Sequence, residues 1–323
     1  MRPARLLILS DIHYAGAAER ARAGFEHRAV DDRLARLLLR CYRRFIWLAE
    51  PTEQGGLLDR FLANAGSPDL VVANGDYSCD SAFIGVSDEA ACASATECLT
   101  KLRAAFGPGF HATIGDHELG KTSLAGNKGG MRVASWDQTI GTLRLEPAWR
   151  TDIGRYSLLA VTSTLVGLPV YHRDMLPTEM ETWEQLRADH LAAVRRLFAE
   201  VAADQRILLF CHDPSALPFL ASEEAVRAKL PQIEHTVVGH LHSKLFLNVA
   251  RTLAGMPRVS MFGKSIERYT VALNRARGWK PFNVRLCPAL PGIQLLNDGG
   301  YYEVELDPAA RRPATFRFHP LPR

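Results

Sequence analysis

Eight side chains in this sequence have the chemistry to hold metal ions, and they fall in five short clusters. SDIH (10–13) supplies Asp11 and His13, NGD (74–76) supplies Asp76, and GDHE (115–118) supplies Asp116 and His117. CHD (211–213) supplies His212, and GHLH (239–242) supplies His240 and His242. Carboxylates mixed with imidazoles suit divalent transition metals such as Mn, Fe, Ni or Zn rather than calcium. Eight groups are too many for one ion and right for two. Each cluster alone is a weak signal: a lone D-x-H is a common turn, and a lone His212 is equally a capping or core histidine. The signal lies in their conjunction.

The elements that must position these groups are short apolar runs. They are RLLILSD (5–11), DLVVANGD (69–76), FHATIGD (110–116), SLLAVTS (157–163), RILLFCHD (206–213) and HTVVGH (235–240). Their length and their Val, Ile and Leu content suit strands buried on both faces. Helical segments lie between them, most clearly over about 178–203, with Thr178 as its N-cap. Alternating strand and helix predicts an α/β sandwich. GGYYEVELD and ATFRFHPL near the C-terminus alternate like an antiparallel hairpin. The metal-competent residues follow the runs directly, and ligands of open α/β sheets bind at the carboxyl ends of strands.

The bulk properties agree. A chain of 323 residues, 47% hydrophobic and 23% charged, suits a globular protein with one large α/β domain or two modest ones. A net charge of +4 and a pI near 8.8 hint at an anionic substrate or surface, but are too weak to imply nucleic acid. The six cysteines form no CxxC pair, which predicts reduced thiols in a cytoplasmic protein. The apolar run near the N-terminus is too short for a signal peptide, and no run approaches the ~20 residues that span a membrane.

On its five clusters the sequence resembles the calcineurin-like metallophosphoesterases, over about residues 6–243. The resemblance implies an α/β fold, a four-layer αββα sandwich of two mixed β-sheets. It also implies two divalent ions, with Mn the first expectation and Fe, Ni or Zn the alternatives. Carried over by position, Asp11, His13 and His242 hold the first ion and Asp76 bridges. Asp116, His212 and His240 complete the second, and His117 stands beside the phosphate. The implied reaction is phosphoester hydrolysis: paired cations clamp phosphate oxygens and acidify a water that attacks phosphorus in line. His117 then protonates the leaving oxygen as general acid.

Two positions depart from the family pattern. Asp116 stands where Asn is usual, and its extra charge predicts tighter metal binding and a less acidic water. Cys79 stands where phosphoprotein phosphatases carry the carboxylate that orients the turn histidine, leaving Asp80 as the substitute. The arginine-containing form of their motif is also missing, which argues against a phosphoprotein phosphatase.

Residues 1–323 are expected to form a single domain, with a helical insertion at about 20–65 and a cap segment at about 264–295. Within the insertion, RLARLLLRCYRRFIWL (33–48) gathers Arg33, Arg36, Arg40, Arg43 and Arg44 within an arc of about 100°. Two readings stand. Either its apolar side packs on the sheet, or the helix lies on an anionic membrane or lines a lipid groove, with Arg40 and Arg44 binding substrate or lipid. LGKTSLAGNKGG (119–130) forms a basic loop usable as a lid, with Lys121 and Lys128 reaching phosphate, and it lacks the spacing of a nucleotide-binding P-loop. MFGKS (261–265) presents Lys264 after a strand. These lysines are alternatively ordinary solvated turns.

The expected substrate is a phosphodiester or pyrophosphate, amphipathic in the manner of the UDP-diacylglucosamine hydrolases and met at the inner membrane face. The alternatives are a soluble cyclic-nucleotide or general phosphoesterase, and a non-catalytic phosphoesterase-fold scaffold. Retention of a ligand-capable side chain at every position argues against the scaffold.

Overall fold

Strand β1 (Ala4–Leu9) shows how the layers arise. Its side chains alternate between two faces. Leu6 and Ile8 join one core, Leu7 and Leu9 join another, and all four are fully buried. A sheet of such strands needs a cover on each side.

The computed structural model describes residues 2–261 and 263–321. The other strands are β2 (Leu70–Asn74), β3 (Phe110–Thr113), β4 (Ala148–Ile153), β5 (Tyr156–Val161) and β6 (Arg206–Cys211), then β7 (Ile233–Val238), β8 (Val284–Leu286), β9 (Gly300–Leu306) and β10 (Thr315–Pro320). They form two sheets of order β10-β9-β1-β2-β3 and β4-β5-β6-β7-β8. Both are mixed. β1, β2 and β3 run parallel, whereas β9 is antiparallel to β1 and to β10. β5 to β8 run parallel, with β4 antiparallel at the edge.

The inner faces meet in one core, where Ile8 and Val72 of the first sheet join Leu158, Leu208 and Phe210 of the second. The outer face of the first sheet is covered by helices Gly56–Asn64 and Glu89–Phe106, through Leu58, Phe61, Cys98 and Leu102. Helix Met180–Ala199 covers the second through Leu191, Val194 and Phe198, with Trp279 and Phe282 beside it. Helix, sheet, sheet and helix make the four layers. The C-terminal hairpin is β9–β10.

Two local expectations are corrected. Thr178 does not cap the long helix: Pro177–Glu179 forms a 3-10 turn, and the α-helix starts at Met180 with no side-chain cap. Lys264 does not follow a strand; it opens helix Lys264–Arg275. Phe262, in the same motif, lies outside the described residues.

One buried group in this frame makes stability pH-dependent away from the candidate site. His190 Nε2 accepts the Thr162 N–H at 3.2 Å, so the imidazole must stay neutral. Burial pushes its pKa down to about 4, against ~6.5 unfolded. The unfolded chain therefore takes up this proton first as pH falls. The destabilisation is absent above ~6.5, grows as pH drops, and saturates below the folded value at about 3 kcal/mol. Between pH 7.5 and 5, urea unfolding should cost the wild type about 2 kcal/mol more stability than His190→Gln. Parallel losses in the two proteins would remove His190 as the cause.

Candidate metal centre

All eight metal-competent residues lie just beyond strand ends. Asp11 and His13 follow β1, Asp76 follows β2, and Asp116 and His117 open the short helix Asp116–Leu119 after β3. His212 follows β6, and His240 and His242 follow β7. Five of them take left-handed backbone: Asp11 (φ 49°), His13 (46°), Asp76 (60°), His240 (54°) and His242 (58°). Non-glycine residues rarely adopt this conformation, and the strain gathers where geometry serves a site. Glycines make room between them. A Cβ on Gly75 (φ 88°) would lie 2.7 Å from His212 Nδ1, and one on Gly239 would lie 2.0 Å from Ser10 Oγ.

The side chains converge as two groups sharing one member. Asp11, His13, Asp76 and His242 form the first, and Asp76, Asp116, His212 and His240 the second. Within each group the ligand atoms lie within 4.8 Å of one another, near the ~4.2 Å across an ion whose bonds are ~2.1 Å. His13 Nε2 and His242 Nε2 face each other at 3.2 Å. Asp76 Oδ2 and His212 Nε2 are buried and 3.2 Å apart, yet make no hydrogen bond. Such orphaned atoms are costly unless something else satisfies them. Carboxylate and imidazole donors aimed at common points fit two divalent ions.

Outer contacts aim the ligands, as second partners do in metal sites. His212 Nδ1 meets the Asn74 carbonyl at 2.6 Å, and His13 Nδ1 meets that of Ser78 at 3.3 Å. Asp11 accepts from Ser10 Oγ and from the His240 N–H. The electrostatics divide the site: burial pushes His242 and His117 below the usual imidazole range, whereas Asp76 and His212 hold each other charged. Burial would raise Asp76, but His212 foremost outweighs it and holds the carboxyl below its usual range. Burial would lower His212, but Asp76 and Asp11 hold it well above the usual imidazole value.

Two further acids, Glu118 and Asp213, support the site without standing out in the sequence. Glu118 accepts from the backbone N–H groups of Gly115, Asp76 and Tyr77, tying two ligand loops together. Asp213 accepts from Tyr171 Oη and lies 3.9 Å from His240 Nε2. Each belongs to a cluster already singled out, but Asp76, Tyr77 and Tyr171 reach them from elsewhere in the chain. Asp80 does not orient His117: it accepts from the Gly85 N–H, while the Cys79 thiol donates to the His13 carbonyl.

Lys121 changes the meaning of Asp116. Its Nζ is 3.1 Å from Asp116 Oδ2 and 3.3 Å from His117 Nε2. One turn beyond the strand end, the ammonium offsets the carboxylate that replaces the usual amide. Three carboxylates and one ammonium leave a formal charge of −2, as an Asn without the lysine would. On formal charge, a metal-bound water would therefore be no less acidic here than beside the usual amide.

A cleft of about 460 Å³ opens beside these ligands, lined by His13, His117, His240 and His242 at its floor. Trp47, Phe83, Phe246, Ile266, Tyr269 and Trp279 give it apolar walls. Trp47 packs on His242 with ring centroids 4.5 Å apart. Of the lysines and arginines expected to meet substrate, only Lys121 lines this cleft. Lys128 pairs with Asp31 at 3.8 Å, and Lys264 lines a separate cavity with Arg258 and Arg275. Arg40 and Arg44 are exposed, and Arg43 instead lines the cleft, paired with Glu26. The loop 119–130 is held rather than free, since Ser123 N–H bonds the Lys128 carbonyl and Asn127 Oδ1 accepts from the Lys264 N–H.

A family model described as calcineurin-like phosphoesterase matches residues 4–244. No curated protein matches the chain. Among solved structures, a dimetal phosphatase from Danio rerio is 11% identical with a TM-score of 0.51, covering 98% of this chain and 96% of that one. A metallophosphoesterase from Sphaerobacter thermophilus is 15% identical with a TM-score of 0.34, covering 98% and 87%. At such identities the first likeness speaks to the fold alone.

Proposed function

The chain belongs to the calcineurin-like phosphoesterases, and from that premise we propose that it hydrolyses a phosphodiester or pyrophosphate bond in a substrate with an apolar group. The observation that carries the substrate class is the cleft, whose apolar walls begin at the imidazoles of His13, His117 and His242. A pocket of this kind buries an apolar body and fixes it by a few polar groups at one end. A nucleotide–lipid pyrophosphate is one such molecule.

Asp11, His13 and His242 would hold one ion, Asp116, His212 and His240 the other, and Asp76 both. Manganese suits these mixed oxygen and nitrogen donors. When bound, the ions supply charge neutralisation at phosphate and an acidified water. The chain's own groups do the rest. Burial pushes His117 down to about 3, so its imidazole is neutral and accepts the Lys121 N–H at Nε2. The Lys121–His117 pair, rather than an imidazolium alone, then holds the proton for the leaving oxygen. Trp47 and Phe246, packed at 5.0 Å between ring centroids, exclude water on the side where the apolar group enters.

The test is a series of p-nitrophenyl phosphodiesters with lengthening alkyl chains. Each methylene buried should raise kcat/KM by up to about fourfold, until the cleft is filled. Ile266→Asp should flatten the series while sparing the methyl ester. A rate indifferent to chain length in the wild type would sink the amphipathic reading and leave a soluble phosphoesterase.

A further inference from the structure

Helix Arg33–Phe45 docks on the protein by an unexpected side. Its inward seam is Leu39, Arg36 and Arg43: Leu39 is buried, Arg36 donates to the Val30 carbonyl, and Arg43 pairs with Glu26. The apolar face expected to pack on the sheet points outward, and Leu34, Leu37, Leu38 and Phe45 are each more than half exposed. The patch continues past the helix end. The Leu295 N–H bonds the Ile46 carbonyl at 3.1 Å, and Leu295 and Leu296 are at least half exposed as well. Several large apolar side chains on one continuous face are more than a protein surface scatters by chance, and they mark a site of association.

The charges beside the patch identify the partner. Arg33, Arg40 and Arg44 flank the leucines, and among the described residues they make no ion pair. The acids at the start of the helix have partners of their own: Asp32 caps it, and Asp31 faces Lys128 at 3.8 Å. A second copy meeting this face symmetrically would set Arg40 and Arg44 against the same arginines, with exposed acids only at the Asp31–Asp32 end. A surface both aliphatic and anionic satisfies leucines and arginines together. The same segment also walls the cleft through Tyr42, Arg43 and Trp47, opposite the exposed rim residues Ile266 and Tyr269.

We propose that the outward face of helix Arg33–Phe45, with Leu295 and Leu296, seats on an anionic lipid surface and brings the mouth of the cleft to it. The docking does not depend on the substrate assigned above, and its test needs no turnover.

The full chain is sedimented with vesicles of phosphatidylcholine, alone or with about 30 mol% phosphatidylglycerol, at near-physiological salt. Binding is expected to the anionic vesicles and to be weak on the neutral ones. Arg40→Glu with Arg44→Glu should weaken it at least about 30-fold. Leu37→Ser with Leu38→Ser should weaken it similarly, and neither pair should change the melting temperature or turnover of a short soluble diester. Failure to bind anionic vesicles would overturn the proposal, as would binding that survives both double substitutions. A dimer on size exclusion that Leu37→Ser with Leu38→Ser dissolves, with no vesicle binding, would assign the face to a second copy instead.

Discussion

Asp76→Ala should abolish hydrolysis, lowering kcat/KM by about 1,000-fold or more, and should empty both metal positions together. The magnitude follows from its place in both ligand groups and from the several kcal/mol of charge stabilisation a bound metal supplies. His13→Ala touches only the first group and should leave one ion per chain. Elemental analysis of dialysed protein, read beside turnover of bis-p-nitrophenyl phosphate, checks both. If Asp76→Ala kept one tightly held ion, the carboxylate would belong to a single subsite and the bridging assignment would be wrong.

The second large effect concerns Asp116 and Lys121. Because the ammonium lies 3.1 Å from Asp116 Oδ2, removing either charge should move metal affinity in opposite directions. Asp116→Asn leaves the lysine uncompensated and should weaken binding by about ten- to a hundredfold. Lys121→Met leaves the carboxylate uncompensated and should tighten it. The double substitution restores the formal charge and should return affinity near the wild-type value, a coupling a double-mutant cycle reads directly. Turnover separates the roles. Lys121→Met should lose about 100-fold in kcat despite its tighter metal, since an oriented cation beside the developing charge is gone. Lys121→Arg should recover part of that loss. Additive changes in metal affinity would show that the two charges do not sense each other at the site.

The strands and the ligand-capable residues at their ends were legible because both are written locally. RILLFCHD carries in eight consecutive residues a strand buried on both faces and the histidine that leaves it. β7 ending in GHLH works the same way, and five such stretches in one α/β chain meet at one edge because parallel strands share a carboxyl end. The arginine-rich helix shows where local reading stops. Its composition announced amphipathicity, but which side faces inward depends on the Val30 carbonyl and Glu26, which receive Arg36 and Arg43. An apolar stripe is buried only if a partner surface waits for it. Here Leu34, Leu37 and Leu38 are left out while two arginines turn in beside Leu39.

Asp116 divides the two kinds of information most clearly. The sequence alone determined that an oxygen donor stands at that strand end and that it carries a charge where an amide is usual in the family it resembles. It determined the donor set and the strands that carry it, because each depends on neighbours a few residues away. The tertiary structure decided that Lys121 turns back to offset that charge, that Asp76 serves both ligand groups, and that an apolar cleft opens beside them. Coulomb energies and buried surface depend on distances through space, and those distances exist only once the two sheets have packed.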